Sequence, residues 1–237
     1  MQKYIYISND IRNKIVKGMY HANDQIPFEK TLCLEYGVSK MTVKKALDIL
    51  VAEGLIIKRR GAGTFVKDLS IDEIERIAVK NQFRGTTASN PDKKVRSEVL
   101  LFSVVHAPEI VAKKINLESE SFVYDIYRIR YIDEKPSVME QMYMPIDLIP
   151  GLKKKTLENS IYEYIESELK LTIQSAHRKV SVRKATDEEV TYLNLEPGDP
   201  VAVAEQVAYL DTGAAFEFST SVHRYDEFSV ELILTRD

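Results

Sequence analysis

The first quarter of the chain carries hydrophobic residues at helical spacing. A first helix is predicted from Tyr4 to Lys17, a second from Phe28 to Tyr36 and a third from Lys40 to Glu53. Gly37 suits the left-handed position that ends the second helix, and the Ser39 hydroxyl can cap the third. At i, i+3, i+4 and i+7 spacing, the buried face of the third helix is predicted to hold Val43, Ala46, Leu47 and Leu50. The pattern therefore predicts a helix-turn-helix.

A β-hairpin is predicted directly after this helix pair. Residues 56–58 and 64–66 have the composition of strands, and the Arg-Arg-Gly-Ala-Gly segment at 59–63 can turn between them. Residues 1–66 hold 11 Lys and Arg against 6 Asp and Glu, whereas the whole chain has a formal net charge of −3. A basic N-terminal part within a mildly acidic chain is typical of a phosphate-binding domain. We therefore expect this part to bind DNA; the alternative is a packing module whose lysines are merely solvated.

From residue 95 onward, strand-like segments alternate with short helices. Strands are predicted at 99–105, 122–132, 137–144, 172–182, 201–210, 215–223 and 228–234, and helices at 108–114, 156–169 and 186–195. Ser70 with Glu73, and Thr186 with Glu189, have the spacing of capping boxes, and the first of these predicts a helix at 71–79. The expected fold class is α+β, with a helical N-terminal domain joined to a strand-rich mixed α/β domain.

Two regions of the second half carry residues that suit an anion. Arg128 and Arg130 share one face of their predicted strand, which makes a plausible anion clamp; the alternative is an edge paired with carboxylates. The irregular stretch at 81–96 contains Arg84, Thr86 and Thr87, which offer a charge and two hydroxyls. Such a stretch is otherwise a plain connection.

Composition and motif searches exclude several classes of protein. The single cysteine, Cys33, cannot form an intrachain disulfide and is expected to be a small buried thiol. Neither a membrane span nor an export signal is recognised, so a cytoplasmic protein is expected. The four histidines are scattered and common catalytic, metal and nucleotide motifs are missing, so we expect no enzyme, no metal and no cofactor.

The N-terminal part resembles the winged helix of the GntR family of bacterial transcription regulators. The motifs that carry the resemblance are Gly-Val-Ser-Lys-Met-Thr-Val-Lys at 37–44, Glu-Gly-Leu at 53–55 and Gly-Ala-Gly-Thr-Phe-Val at 61–66. The DNA-binding residues predicted from this resemblance and from the exposed helix face are Lys30, Ser39, Lys40, Met41, Thr42, Lys44, Lys45, Arg60 and Gly61. Three of these positions hold Lys where the family usually has Arg, so some contacts are expected to reach phosphates rather than bases.

Residues 80–237 resemble the UTRA effector-binding domain of the HutC subfamily, which has a chorismate-lyase-like fold with an antiparallel sheet. The carrying motifs include Tyr-Arg-Ile-Arg-Tyr at 127–131, Ser-Ile-Tyr-Glu-Tyr at 160–164 and Phe-Glu-Phe-Ser-Thr-Ser-Val-His at 216–223. The resemblance implies phosphate binding by Arg128, Arg130 and Ser160, and sugar-hydroxyl binding by Glu140, Glu217 and His223. The whole predicted effector set is Arg84, Thr86, Thr87, Arg128, Arg130, Glu140, Ser160, Tyr162, Glu217 and His223. Alternatively, the carboxylates pair with the arginines inside the sheet and bind no ligand.

These expectations combine into one predicted organisation and function. Residues 1–68 are expected to bind DNA, 69–80 to link, and 81–237 to bind an effector and dimerise. A homodimer on a palindromic operator is expected to repress a carbohydrate-utilisation operon until a phosphorylated sugar releases it. The alternatives are a non-phosphorylated or amino-acid-derived effector, or a constitutive DNA-binding protein whose C-terminal half only dimerises.

Overall fold

The structure, a computed structural model, describes residues 2–70, 73, 85–118 and 120–230. The chain divides into two compact units, one assigned to Met1–Gln82 and Val230–Asp237 and the other to Phe83–Ser229. In the described part, no helix is long and apolar enough to cross a membrane.

The first unit is the predicted helix-turn-helix with its hairpin. Its elements are α1 (Lys3–Val16), β1 (Gln25–Ile26), α2 (Glu29–Tyr36), α3 (Lys40–Ala52), β2 (Ile56–Arg59) and β3 (Gly63–Val66). The three strands form an antiparallel sheet in the order β1-β3-β2, and the two-residue strand β1 was not predicted. The predicted inner face of α3 is buried together with the isoleucines of α1, so the helices share one core.

Local signals set the ends of these elements as predicted. Gly37 ends α2 with a φ of 60°, and the Ser39 hydroxyl accepts a hydrogen bond from the Thr42 amide at 3.3 Å. Phe28 stands at the N-cap of α2 and provides no side-chain cap. At the hairpin, Gly63 has a φ of 122°, and a Cβ there would lie 2.5 Å from Gln25 Nε2, so only glycine fits without a shift.

The second unit is a six-stranded antiparallel sheet with short helices. Its strands are β4 (Val95–His106), β5 (Phe122–Ile132), β6 (Lys135–Pro145), β7 (Ile173–Lys184), β8 (Pro200–Leu210) and β9 (Ala215–Arg224). Its helices are α4 (Glu109–Ile115), α5 (Lys154–Leu157), α6 (Ile161–Ser167) and α7 (Asp187–Leu193). The strand order is β4-β5-β6-β9-β8-β7, which confirms the predicted α+β class and antiparallel sheet.

The two faces of this sheet bury different cores. One face packs Ile126, Met142 and Phe216 against α5 and α6, whereas the other packs Ile129 and Val222 against α7. Because side chains alternate across a strand, Arg128 and Arg130 point to the same face as Ile126. The candidate effector residues on the strands therefore lie beneath α5 and α6.

Two predicted elements differ from the observed ones, and a third can be compared only in part. The helix predicted at 156–169 is broken into α5 and α6, because Ser160 caps a new helix by accepting a hydrogen bond from the Glu163 amide at 3.2 Å. Residues 228–230 are irregular rather than the start of a strand, and the remainder of that predicted strand lies outside the described residues. Ser70 and Glu73 form the predicted capping-box bonds, but the rest of the 71–79 helix also lies outside the described residues.

Candidate DNA interface and effector site

A basic groove runs between the helix pair and the hairpin of the first unit. It has a volume of about 670 Å³, and its lining residues are Phe28, Glu29, Lys30, Cys33, Lys40, Lys58, Arg59, Gly61, Gly63 and Thr64. The groove thus brings together three predicted DNA-binding residues, Lys30, Lys40 and Gly61. Lys58 and Arg59 were missing from the predicted set, although the run of basic residues in the hairpin was a signal for them.

The side chains predicted to reach DNA differ in how they are engaged. Lys30, Lys44 and Arg60 are exposed and form no hydrogen bond or ion pair with any described residue. Lys40 lies 3.7 Å from Glu29, and Lys45 sits over the ring of Tyr4 at 3.8 Å from the ring centroid. Lys45 is therefore partly committed to α1, whereas Lys30, Lys44 and Arg60 are available to phosphates.

Strand register places the candidate effector residues on neighbouring strands of one face. Arg128 pairs with Glu140, and Glu140 pairs with Ser221 on β9. Arg130 pairs with Val138, which in turn pairs with His223. Because paired residues point to the same side, these side chains converge without any help from loops.

Arg128 is held almost entirely by the protein. Its Nε and Nη2 atoms each lie 2.8 Å from Glu140 Oε2, and its Nη1 donates to the carbonyls of Leu157 and Asn159 at 2.7 and 3.3 Å. Both side chains of the ion pair are nearly buried, with 6% and 10% exposed. This is the ligand-free ion pair that was the alternative to an effector clamp.

Arg130 is held much less completely. It donates to the Asn159 carbonyl at 3.2 Å and to Thr87 Oγ1 at 2.5 Å, but its Nε is buried without a partner among the described residues. Burial, followed by repulsion from Arg128, lowers its pKa to about 10, so the guanidinium stays charged near pH 7 at a cost that an added anion would reduce. Directly opposite on β4, the buried hydroxyl of Ser97 also has no described partner, and the sequence prediction missed this residue.

Glu140 links the strands to the loop at 85–90. Burial alone would raise its pKa, but Arg128 and Arg130 outweigh that effect and hold the pKa below its usual value. Thr86 donates to Glu140 Oε1 at 2.9 Å, while Thr87 accepts from Arg130. Both predicted threonines therefore reach the site, whereas Arg84 lies outside the described residues.

A second polar group surrounds Glu217, which is only 2% exposed. Ser219 Oγ and Gln206 Nε2 donate to Glu217 Oε1 at 2.6 and 3.2 Å, and Gln206 also donates to the Tyr162 hydroxyl at 3.2 Å. Burial raises the pKa of the Glu217 carboxyl and lowers the pKa of His223 to about 4, so His223 is neutral near pH 7. Among the predicted residues, Ser160 instead uses its hydroxyl to cap α6.

Gln206 and Ser219 were also missed by the sequence prediction. Gln206 lies in a row of inward residues on β8 that is otherwise formed by Ala202, Ala204, Ala208 and Leu210. The signal in the sequence was this single polar residue in a row of otherwise small or apolar inward positions. Because β8 and β9 are consecutive strands of one antiparallel hairpin, Gln206 pairs with Ser219 on β9. Across the described residues, no group of three or more His, Cys, Asp and Glu is arranged to hold a metal ion.

The two units together define a class of protein. A helix-turn-helix with a basic groove binds DNA, and a separate sheet domain with a buried polar site binds a small molecule. This is the organisation of a ligand-responsive transcription regulator.

Comparisons with known proteins give the family. Residues 3–66 match the bacterial regulatory proteins of the gntR family, and residues 91–229 match the UTRA domain. The chain belongs to the GntR family of regulators that carry a UTRA domain. It is a transcription regulator and not an enzyme, with DNA and a small-molecule effector as its partners.

Relatives match over nearly the whole chain. The HTH-type transcriptional regulator GmuR of Bacillus subtilis is 39% identical, covering all of both chains. The mannosyl-D-glycerate transport/metabolism system repressor MngR of Escherichia coli is 30% identical, covering 98% of this chain and 96% of the relative. The crystal structure of the possible transcriptional regulator YydK of Bacillus subtilis superposes with a TM-score of 0.77 at 25% identity, covering 98% of this chain and 99% of YydK.

Proposed function

We propose that the protein represses a carbohydrate-utilisation operon and is released from DNA by a phosphorylated sugar. The observation that carries this proposal is the buried guanidinium of Arg130 beside the Ser97 hydroxyl, each with a donor that has no partner among the described residues. Both are donors, and a buried donor without a partner is costly. A phosphate oxygen supplies acceptors and negative charge at this point. The name of MngR, a repressor of a sugar-derivative transport and metabolism system, also supports the proposal.

Within this proposal the two arginines have unequal roles. Arg130 binds the phosphate, because its Nε has no partner among the described residues and its burial makes the positive charge costly. Arg128 is already satisfied by Glu140 and two carbonyls, so it supports the site without changing partners. The carboxylates and His223 then accept and donate hydrogen bonds to the sugar hydroxyls.

The loop at 85–90 supplies a route for the response. Thr87 uses the same guanidinium that the phosphate needs, and Thr86 uses the Glu140 carboxylate. A bound effector competes for both contacts and shifts the loop. This loop follows the proposed linker at 69–80, so its shift reorients the DNA-binding domains of a cytoplasmic homodimer relative to their half-sites.

A thermal-shift screen tests the effector class. Sugar phosphates, the matching free sugars and a few amino-acid catabolites are each added to the purified protein. A ligand at about 100 times its Kd stabilises the native state by roughly 2.7 kcal/mol. A shift with a sugar phosphate and none with the free sugar supports the proposal, whereas a shift only with a catabolite refutes it.

A variant pair then locates the phosphate. Arg130→Met is expected to remove the shift, while Arg183→Met, which alters an arginine paired with Glu189 next to α7, is expected to keep it. Binding of the same variants to promoter DNA, with and without the active sugar phosphate, shows whether the effector releases the protein. The assignment is refuted if the sugar phosphate releases the Arg130→Met variant from promoter DNA as fully as it releases the unaltered protein.

A further inference from the structure

A buried amide on β8 lies beside the proposed effector site. Gln206 is 6% exposed, and its neighbours on the inward row of β8 are alanines and a leucine. A primary amide in such a row is costly unless all its polar atoms are bonded. Its bonds therefore indicate why the amide is there.

Arg178 on β7 fixes the orientation of this amide. Its Nε and Nη2 lie 2.8 and 2.6 Å from Gln206 Oε1. A guanidinium only donates, so it must face the oxygen, and the Gln206 nitrogen must point the other way. That nitrogen donates to both Tyr162 and Glu217, at 3.2 Å each.

The result is an asymmetric environment for the Glu217 carboxyl. Oε1 accepts hydrogen bonds from Gln206 and Ser219, and the Tyr162 hydroxyl also interacts with the carboxyl. Oε2 is buried and has no geometric hydrogen-bond partner in the described ranges. Glu140, in contrast, bonds through both oxygens, to Thr86 and to Arg128. The unused acceptor of Glu217 thus calls for a donor from a ligand.

We propose that Gln206, held by Arg178, is a specificity-determining residue that presents Glu217 Oε2 to a hydroxyl of the sugar. This inference rests on the proposed function and deepens it. Because the amide is bonded to Oε1, only Oε2 of Glu217 is left to accept a hydrogen bond, and its direction is fixed. A sugar is therefore distinguished from an epimer whose hydroxyl does not point at Oε2. Arg178 acts only through Gln206, as a positioning residue.

Titration calorimetry on the full chain tests this assignment. The probes are inorganic phosphate and a panel of hexose 6-phosphates and disaccharide phosphates that includes epimers. Gln206→Leu removes the amide, Arg178→Met removes only its support, and Lys179→Ala is the control on the same strand. Lys179 pairs with Glu205, so it points to the opposite face from Arg178.

The expected result separates the two ends of the effector. Gln206→Leu and Arg178→Met lose about tenfold in affinity for the preferred sugar phosphate, the loss of one hydrogen bond, and discriminate less between epimers. Their affinity for inorganic phosphate stays within about twofold of the unaltered protein, because the Arg130 end is intact. Lys179→Ala binds all probes normally.

Three results overturn the inference. Unchanged sugar-phosphate affinity in both variants refutes the role of Gln206 and leaves the proposed function standing. Equal losses for inorganic phosphate and sugar phosphates show that the amide is only structural. If the unaltered protein binds no sugar phosphate more tightly than inorganic phosphate, the proposed function fails together with the inference.

Discussion

Replacing Arg128 with methionine is expected to destabilise the second unit strongly. The change leaves the Glu140 carboxylate buried with neither of its two 2.8 Å contacts to Arg128, and it frees the carbonyls of Leu157 and Asn159. Removing one partner of a buried ion pair costs about 3–5 kcal/mol, because the remaining charge is left uncompensated. The partial compensation by Arg130 places the expected cost near the lower end of this range.

A matched arginine shows whether burial causes the effect. Arg183 contacts Glu189 at 2.5 Å, with 42% of the Arg183 side chain exposed but only 8% of the Glu189 side chain. Arg183→Met is expected to cost less, about 1–2 kcal/mol, because solvent reaches the arginine although the nearly buried Glu189 loses both contacts of a bidentate pair. The double variant Arg128→Met with Glu140→Gln is expected to cost much less than the sum of the single changes.

The assay is urea unfolding followed by far-UV circular dichroism, since the chain contains no tryptophan. The measurement is repeated at several pH values. The lowered pKa of Glu140 means that its contribution is present above the unfolded value of 4.5 and disappears as the pH falls. The difference between Arg128→Met and the unaltered protein therefore shrinks on acidification. Equal costs for Arg128→Met and Arg183→Met, or a cost independent of pH, refute the reasoning.

Three further changes test the two units. Ser39→Ala is expected to cost about 1 kcal/mol in urea unfolding through the lost N-cap, and unaltered stability contradicts this role. Lys44→Ala is expected to weaken promoter binding and to lower the salt slope by about 1, measured by fluorescence anisotropy at several salt concentrations. Glu217→Gln is expected to be more stable than the unaltered protein at pH 8. The raised pKa of Glu217 means that its ionisation opposes folding as the pH rises above the unfolded value of 4.5, so the gain in stability is expected at pH 8 and not at pH 4. A stability difference that is the same at both pH values contradicts the assignment.

The first unit was predicted well because its boundaries depend on single residues. Gly37 and Ser39 end and begin helices through their own backbone and hydroxyl chemistry, and both are observed in these roles. The short strand β1 was missed because two residues give no periodicity, and its existence depends on pairing with β3. Local chemistry is visible in a sequence, whereas such pairing is not.

The second unit shows where sequence reasoning ends. Period-two alternation placed Arg128 and Arg130 on one face, which the register confirms. The break in the helix predicted at 156–169 was not foreseen, although it turns the Leu157 and Asn159 carbonyls toward the arginines. The pairing of β9 with β6, two strands that are not consecutive in sequence, likewise brings Glu140 beside the strand that carries Glu217. Both features arise from tertiary packing, which overrides the local pattern.

The site thus contains two arginines that look equivalent in sequence and differ in structure. Arg128 is buried and bonded to a carboxylate and two carbonyls, so we expect its replacement to lower the free energy of unfolding. Arg130 keeps a buried donor beside Ser97 that no described residue uses, so we expect its replacement to weaken effector binding. The hypothesis of a ligand-free ion pair and the hypothesis of an anion clamp therefore do not compete for the same residue. In our proposal each describes one of the two arginines, and the buried pair at Arg128 holds the strand so that the donor of Arg130 stays in place.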